Sequence, residues 1–115
     1  MATFRTAKSE AKYQKLAPDL LKDGCPLCLK NTIKAFAHWR IVKNEFPYDR
    51  IAQTHDMIVP LRHVSERELS EAEKNELRSI KETYLSENYE YMIEPTLRRK
   101  SIPAHFHLHL IVSKD

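Results

Sequence analysis

The chain has 115 residues, with 19 lysines and arginines against 16 aspartates and glutamates, and a formal net charge of +3. This length fits one domain, and the lone glycine, Gly24, excludes phosphate-cradling loops, which need several glycines. The charge is too small to indicate nucleic acid as a partner. No apolar run reaches the roughly 20 residues of a membrane span, and the N-terminus has no signal-type apolar stretch, so we expect a cytoplasmic protein without membrane contact.

The first third of the chain predicts a helix, a turn and a strand. Residues 6–16 are rich in Ala, Lys, Glu and Gln, which favours an N-terminal helix, and Pro18 should lie beyond its end. Residues 23–26 have the composition of a turn. The β-branched and aromatic residues between positions 32 and 42 predict one continuous strand.

The middle of the chain predicts a loop, a short strand and the longest helix. Residues 43–50 read as a loop, and residues 57–59 form a strand that Pro60 stops. Ser70 and Glu73 have the spacing of a capping box, which opens a helix that runs to about residue 88. Its apolar stripe comprises Ala72, Leu77, Ile80, Tyr84 and Leu85.

The last third predicts two more strands. Residues 89–93 form one, which turns at Pro95, and residues 105–112 form the other. The second strand alternates, with three histidines on one face (His105, His107, His109) and three apolar residues on the other (Phe106, Leu108, Leu110). Strands interleaved with one long helix predict an α+β fold, an antiparallel sheet with the helix packed on one face.

The histidine row and the cysteine pair carry the chemistry. A buried apolar face would hold the three imidazoles in a row about 7 Å apart, although a surface strand that happens to use histidine is the plainer alternative. Cys25 and Cys28 supply half of a tetrahedral zinc site, which needs further ligands from His38, His55, His63 or the histidine row. The pair could instead be a redox centre or two unreactive thiols. We expect His38 to be structural and to lie on the strand at residues 32–42.

Three segments together resemble the histidine triad (HIT) superfamily of nucleotide hydrolases and transferases. They are Asn44-x-Phe-Pro-Tyr, His55-x-Met-Ile-Val-Pro-x-Arg-His63-Val and the His-rich strand at residues 105–111. The resemblance spans residues 23–113, and residues 44–64 are most similar to the diadenosine-polyphosphate phosphorylase and hydrolase branch. It implies a single HIT-like domain over residues 1–115, with an N-terminal helical extension (1–22), a zinc knuckle (23–30) and a sheet-and-helix core (31–115).

The resemblance also implies a metal site and a catalytic site. One structural Zn²⁺ per chain would be bound by Cys25, Cys28, His63 and His105. His107 would be the nucleophile that forms a nucleotidyl-histidine intermediate, with His109 as a second catalytic group. His109, His55, Asn44 and Ser101 would bind the substrate, His55 and His109 near the phosphate oxygens and Asn44 at the ribose.

The expected substrate is a nucleoside phosphoramidate, a nucleotide ester or a dinucleoside polyphosphate, attacked at its α-phosphate by hydrolysis or transfer. Homodimers are common in the family, and the N-terminal helix could contribute to such an interface.

Two departures from the family pattern lie close to the expected site. The Gly-Gln-Ser-Val-type stretch is replaced by residues 100–104, Lys-Ser-Ile-Pro-Ala, and Thr54 stands where a glycine is usual. They motivate an alternative, a catalytically weak nucleotide- or nucleic-acid-binding module stabilised by zinc. In a third reading the triad histidines bind a catalytic metal. Arg98, Arg99 and Lys100 either contact phosphate or form a solvated basic turn.

Overall fold

A five-stranded antiparallel sheet forms the centre of the molecule. The computed structural model of the chain describes residues 4–21, 24–100 and 102–114. The sheet order is β1-β2-β3-β5-β4, and its strands are β1 (Thr32–Ala35), β2 (Trp39–Lys43), β3 (Ala52–Pro60), β4 (Tyr91–Ile93) and β5 (Leu108–Ser113). All four pairings are antiparallel, so the predicted α+β class is confirmed.

The longest helical segment begins where the capping box predicts it. Helix α3 (Glu71–Ile80) continues through a π-helical stretch (Lys81–Leu85) into α4 (Ser86–Asn88), so the prediction of a helix to about residue 88 is confirmed. The Glu73 N–H donates to Ser70 Oγ at 3.1 Å, and the Ser70 N–H donates to the Glu73 carboxylate at 2.8 Å. These two bonds satisfy amides that the first helical turn cannot pair internally.

Two shorter helices and a 3-10 turn complete the helical elements of the described residues. Helix α1 spans Ala7–Leu21, helix α2 spans Pro26–Leu29 and the 3-10 turn spans Glu66–Glu68. The prediction that the first helix ends before Pro18 was wrong, because Pro18 lies inside α1. Proline has a helical φ, so the helix continues with the loss of one backbone hydrogen bond. No helix in the described ranges has both the length and the apolar character needed to cross a bilayer.

The single strand predicted at residues 32–42 is a hairpin. The Phe36 N–H donates to the Trp39 carbonyl at 2.8 Å and closes the turn between β1 and β2. The Glu76 carboxylate on α3 accepts from the amides of Ala37 and His38 at 3.1 and 2.6 Å. A contact from a distant helix therefore fixes the turn, and His38 lies in that turn, exposed, and not on a strand.

The other predicted strands exist with different limits. β3 begins at Ala52, earlier than predicted, because it lies at the sheet centre and pairs with both β2 and β5. β4 starts at Tyr91. β5 starts at Leu108, later than the predicted residue 105. The reason is that the Phe106 N–H donates to the Val64 carbonyl at 2.7 Å and not to a neighbouring strand.

The core lies mainly between the sheet and the long helix. It contains the apolar residues of the His-rich segment together with residues of β2, β3, α3 and the π-helical stretch: Trp39, Ile41, Ile58, Leu77, Ile80, Leu85, Phe106, Leu108 and Leu110. The predicted apolar stripe was wrong at Ala72, which is exposed, while Glu73 is buried beside it and bound to Arg62. A second apolar cluster beside the opposite side chains of β2 and β3 includes Leu27, Val42, Met57 and Val59, and it anchors α2.

Candidate active site and metal centre

Four of the six histidines are buried close together in the molecule. His55, His105, His107 and His109 each expose less than a tenth of their surface. Burial lowers the pKa of His107, lowers that of His55 to about 4 and lowers that of His109 to about 3. The imidazoles of these residues are therefore neutral near pH 7 and can act as lone-pair donors and N–H donors.

The hydrogen-bond partner of His107 assigns its tautomer. Its Nδ1 lies 3.0 Å from the carbonyl oxygen of His105, an atom that can only accept. Nδ1 therefore carries the proton, and Nε2 keeps a free lone pair. The ring lines a pocket, so this side chain can present a neutral nucleophilic nitrogen to a bound molecule.

His109 is oriented through His55 by a backbone amide. The Tyr48 N–H donates to His55 Nδ1 at 2.9 Å, so the proton of neutral His55 is on Nε2. That Nε2–H donates to His109 Nδ1 at 2.8 Å. His109 must then carry its own proton on Nε2, which lies 3.3 Å from Tyr48 Oη beside the pocket. The chain of contacts makes His109 a hydrogen-bond donor at the pocket wall.

The pocket has a volume of about 140 Å³ and a mixed apolar and polar lining. Asn44 lies in its wall, and the amide is oriented because Oδ1 accepts from the Phe46 N–H at 2.7 Å. The remaining lining residues include Arg5, Tyr13, Leu27, Phe46, Tyr48, Met57, Arg99, Ile102, His107 and His109. Of the predicted substrate-binding and catalytic residues, the structure brings Asn44, His107 and His109 together here. His55 lies behind His109 and does not line the pocket, and Ser101 lies outside the described residues.

A separate cluster joins Cys25, Cys28, His63 and His105, whose ligand atoms all lie within 4.8 Å of one another. His105 Nδ1 is 3.4 Å from each sulfur, and His63 Nδ1 is 3.3 Å from Cys28 Sγ. These are close to the edges of about 3.5 Å expected for a tetrahedral centre with two thiolate and two imidazole ligands. The four residues could therefore bind a metal ion.

The orientation of His105 suits a ligand. Its Nε2 lies 3.2 Å from the carbonyl oxygen of Pro60, so that nitrogen carries the proton and Nδ1 faces the two sulfurs with its lone pair. Metal-bound histidines commonly donate their second N–H to a carbonyl in this way. Among the described residues, His38, His107 and His109 belong to no such group.

The N-terminal segment contributes to the site through contacts that no sequence pattern predicts. Arg5 Nε donates to the Phe46 carbonyl at 2.8 Å, and its guanidinium lies over the rings of Tyr13 and Tyr48 at 4.1 and 5.0 Å. The Thr6 N–H and hydroxyl both donate to the Asp49 carboxylate. The segment before α1 thus fastens the loop that carries Tyr48. Nothing in the sequence marks Arg5, since two partners that place it at the site, Phe46 and Tyr48, are more than 40 residues away in the chain.

The geometry can be compared with known proteins. No family model and no curated protein sequence matches the chain. Its structure is similar to that of a HIT family hydrolase from Clostridium thermocellum, with a TM-score of 0.52 and 17% sequence identity, over 87% of this chain and 90% of that one. At this identity the likeness concerns the fold alone. The chain therefore has a HIT-like fold, as its sequence predicted.

Proposed function

We propose that this chain is a nucleotide hydrolase or nucleotidyltransferase that acts at the α-phosphate through a covalent intermediate on His107. The candidate substrates are nucleoside phosphoramidates, nucleotide esters and dinucleoside polyphosphates. The observation that carries the proposal is the hydrogen bond from His107 Nδ1 to the His105 carbonyl, which leaves the lone pair on Nε2 of a ring that lines a pocket. The HIT-like fold and the similarity to a HIT family hydrolase support the same class of reaction.

The proposed reaction has two displacements at phosphorus. In the first, the Nε2 lone pair of His107 attacks the α-phosphorus, the bond from phosphorus to the leaving group breaks, and the leaving group departs with the bonding electrons. A leaving group that needs a proton takes it from solvent. In the second, a water or acceptor oxygen attacks the same phosphorus. The phosphorus–nitrogen bond breaks, its electrons return to Nε2, and the attacking oxygen gives up its proton to solvent.

His109 and Asn44 have different tasks in this proposal. The Nε2–H of His109 would donate to a non-bridging phosphate oxygen and stabilise the charge that grows there. The side-chain amide of Asn44 would meet the ribose hydroxyls at the pocket wall. We assign His55 to positioning His109, since it is bonded to that ring and does not reach the pocket.

The Cys25, Cys28, His63 and His105 cluster fits a structural Zn²⁺, both in its donor set and in its spacing. With four protein ligands no position would be left for water, so bound zinc would supply a cross-link and no Lewis-acid chemistry. Because His105 precedes the nucleophile by two residues, that cross-link would join α2 to the segment that positions His107. A catalytic metal on the triad has less support, since His105 directs its one lone pair at the two sulfurs and belongs to the Cys/His cluster.

Turnover of an adenosine phosphoramidate tests the proposal, with His107→Ala as the variant and His38→Ala as the matched control. We expect kcat to fall at least about 1,000-fold in His107→Ala, because the nucleophile is lost, and to stay unchanged in His38→Ala, whose side chain is exposed in the turn at residues 36–38. Circular dichroism and bound zinc should be the same in all three proteins. Nucleotide binding by the wild type with no turnover of any of the three substrate classes would instead favour the binding-module alternative.

A further inference from the structure

The residues before α1 are bound to the loop that carries Tyr48. Residues 4–6, which we call the N-terminal strap, lie along this loop. The Phe4 carbonyl accepts from the Arg50 N–H at 2.9 Å, and the Phe4 ring lies 5.4 Å from the Tyr48 ring between centroids. The Nε–H of Arg5 reaches a carbonyl on the other side of Tyr48 in the chain, at 2.8 Å. The strap therefore holds the loop both before and after Tyr48.

The contact between Thr6 and Asp49 uses both oxygens of the carboxylate. Asp49 Oδ1 accepts from the Thr6 N–H at 2.8 Å, and Oδ2 accepts from the Thr6 hydroxyl at 3.1 Å. The Thr6 amide holds the pKa of Asp49 below its ordinary value, so the carboxylate is charged near pH 7 and both bonds are charge-assisted. The Thr6 hydroxyl also accepts from the Ser9 N–H at 3.2 Å, as a helix cap does. Thr6 thus joins the start of α1 to the residue next to Tyr48.

Tyr48 contacts two histidines of the site through different atoms. Its backbone N–H donates to His55 Nδ1 at 2.9 Å, and its Oη lies 3.3 Å from His109 Nε2. A backbone amide follows the loop, and its hydrogen bond weakens steeply when the distance or the angle changes. The position of the loop therefore decides whether the bond to His55 is made.

The His55 and His109 pair has a second arrangement of protons available. Asn44 Nδ2 lies 3.3 Å from His55 Nε2 and could donate to that atom if it carried no proton. The proton of His55 would then be on Nδ1, and His109 would donate from its own Nδ1 to His55. His109 Nε2 would lose its proton and could no longer donate at the pocket wall. The Tyr48 N–H opposes this arrangement, because two N–H groups cannot bond to each other.

We propose that the N-terminal strap is a positioning element of the active site, with Thr6 and Asp49 as its positioning residues. Their two bonds hold the loop so that the Tyr48 amide selects the arrangement in which His109 donates from Nε2. The effect on turnover rests on the proposed function, whereas the effect on the histidine tautomers does not. Because Tyr13 of α1 lines the same pocket, the strap connects a wall of the pocket to the proton donor within it.

The ¹⁵N NMR spectrum of the histidine rings near neutral pH, at equal metal content, tests the effect on the tautomers. Asp49→Ala removes both strap bonds, and Glu87→Ala, at an exposed position on α4, is the matched control. In Asp49→Ala we expect the Nδ1 resonances of His55 and His109 to shift towards those of a protonated nitrogen. The control should match the wild type.

Two milder variants separate positioning from a general loss of structure. Asp49→Asn keeps an acceptor for the Thr6 amide and should keep most of the wild-type spectrum. Thr6→Val removes the hydroxyl bond and keeps the amide bond, so it should shift the same resonances less, and it replaces Asp49→Ala if that variant does not fold. Unchanged tautomers in a folded Asp49→Ala or Thr6→Val protein would overturn the proposal, whatever the turnover.

Turnover of adenosine phosphoramidate tests the catalytic consequence. We expect Asp49→Ala to lower kcat about 10- to 100-fold and to change KM less than about threefold, because the donor acts on charge that grows in the transition state. In a His55→Leu background the same substitution should lower kcat less than about threefold, since its effect passes through His55. Fully additive losses would overturn the proposal.

The two measurements keep the strap and the proposed function apart. If the wild type turns over no substrate, the proposed function fails, and the NMR spectra still decide whether the strap places the protons. Shifted tautomers with an unchanged kcat would support the strap and refute the role of His109 as the donor to phosphate.

Discussion

At the scale of single residues, hydrogen bonds to the backbone decide which histidine nitrogen carries a proton. The His105 carbonyl accepts a hydrogen bond from the Nδ1–H of His107, and the Tyr48 amide determines the tautomers of His55 and His109. Both partners are backbone groups, the amide of Tyr48 and the carbonyl of His105, and neither group titrates. His107, the proposed nucleophile, and His109 have opposite tautomers and lie side by side, with ring centroids 5.3 Å apart.

The role of His55 can be tested by removing its donor to His109. We expect His55→Leu to lower kcat about 10- to 100-fold with little change in KM, since only the orientation of His109 is affected. His55→Gln keeps a donor and an acceptor and should recover part of the loss. The ¹⁵N NMR shifts of His109 report its tautomer independently of turnover. If His109 keeps its proton on Nε2 alone in His55→Leu, the positioning role is wrong.

Burial of His55 also predicts a dependence of stability on pH. The folded pKa of His55 is about 4, below its ordinary value of 6.5, because burial disfavours the charged ring. The unfolded chain therefore takes up the proton first, and stability falls as the pH decreases from about 6.5 towards 4. We expect a loss of about 1 to 2 kcal/mol in the free energy of unfolding between pH 7 and pH 5 from this residue.

Urea unfolding of the wild type, His55→Gln and His38→Gln at both pH values measures this effect, with equal metal content in all samples. His55→Gln should lose less stability than the wild type on acidification, whereas His38→Gln should behave like the wild type. Parallel losses in all three proteins would show that other groups cause the acid sensitivity.

At the scale of secondary structure elements, Glu73 joins three parts of the fold. Its carboxylate accepts from the Ser70 amide and from Arg62 at 2.6 Å, and its carbonyl accepts from the Trp39 indole at 2.8 Å. The Arg62 guanidinium holds the pKa of Glu73 at about 2. The capping box predicted this residue at the helix start, but the ion pair also connects the helix to the residue next to His63.

Replacing Glu73 by Ala should lower the free energy of unfolding by about 1 to 3 kcal/mol, because the cap and the pairing with Arg62 are both lost. Arg62 is exposed and stays solvated, which limits the cost. Glu71→Ala, at an exposed position in the same helical turn, is the matched control and should change stability by less than about 0.5 kcal/mol. Chemical denaturation measures both, and equal effects of the two substitutions would contradict the role of Glu73.

The proposed zinc centre connects α2 to the segment before β5. We expect the wild type to carry about one zinc per chain, and Cys28→Ser to lose most of it together with several degrees of thermal stability. Elemental analysis and thermal unfolding measure the two quantities. His38→Ala should keep its zinc. Full zinc occupancy in Cys28→Ser would exclude the four-ligand assignment.

At the scale of the whole molecule, the sequence predicted the features that depend on local pattern. The alternation of the His-rich strand, the capping box at Ser70 and the α+β class follow from periodicity and hydrogen-bond chemistry within a few residues. The features it missed depend on distant contacts. The Glu76 carboxylate accepts hydrogen bonds in the turn at residues 36–38, which divides the predicted strand in two. The Val64 carbonyl accepts from Phe106, so β5 begins later than predicted.

The candidate site also has parts that the sequence predicts and parts that depend on distant contacts. The resemblance to the HIT superfamily predicts one metal site from Cys25, Cys28, His63 and His105. The fold brings the ligand atoms of these residues within 4.8 Å of one another. The part played by Arg5 and α1 had no local signal, because it consists of contacts with a loop far along the chain. The position of His55 behind His109 is visible only in the folded structure, since the spacing of histidines in the sequence does not show which ring faces the pocket.

The central claim is that His107 carries the nucleotide during turnover, and mass spectrometry of the intact protein tests it most directly. The wild type is mixed with a substrate, quenched within milliseconds in alkaline denaturant to preserve the phosphorus–nitrogen bond, and analysed beside His107→Gln. We expect a mass increase of one nucleoside monophosphate, which fragmentation locates on His107 and which the variant lacks. An adduct on another residue, or turnover by the wild type without any adduct on His107, would contradict it.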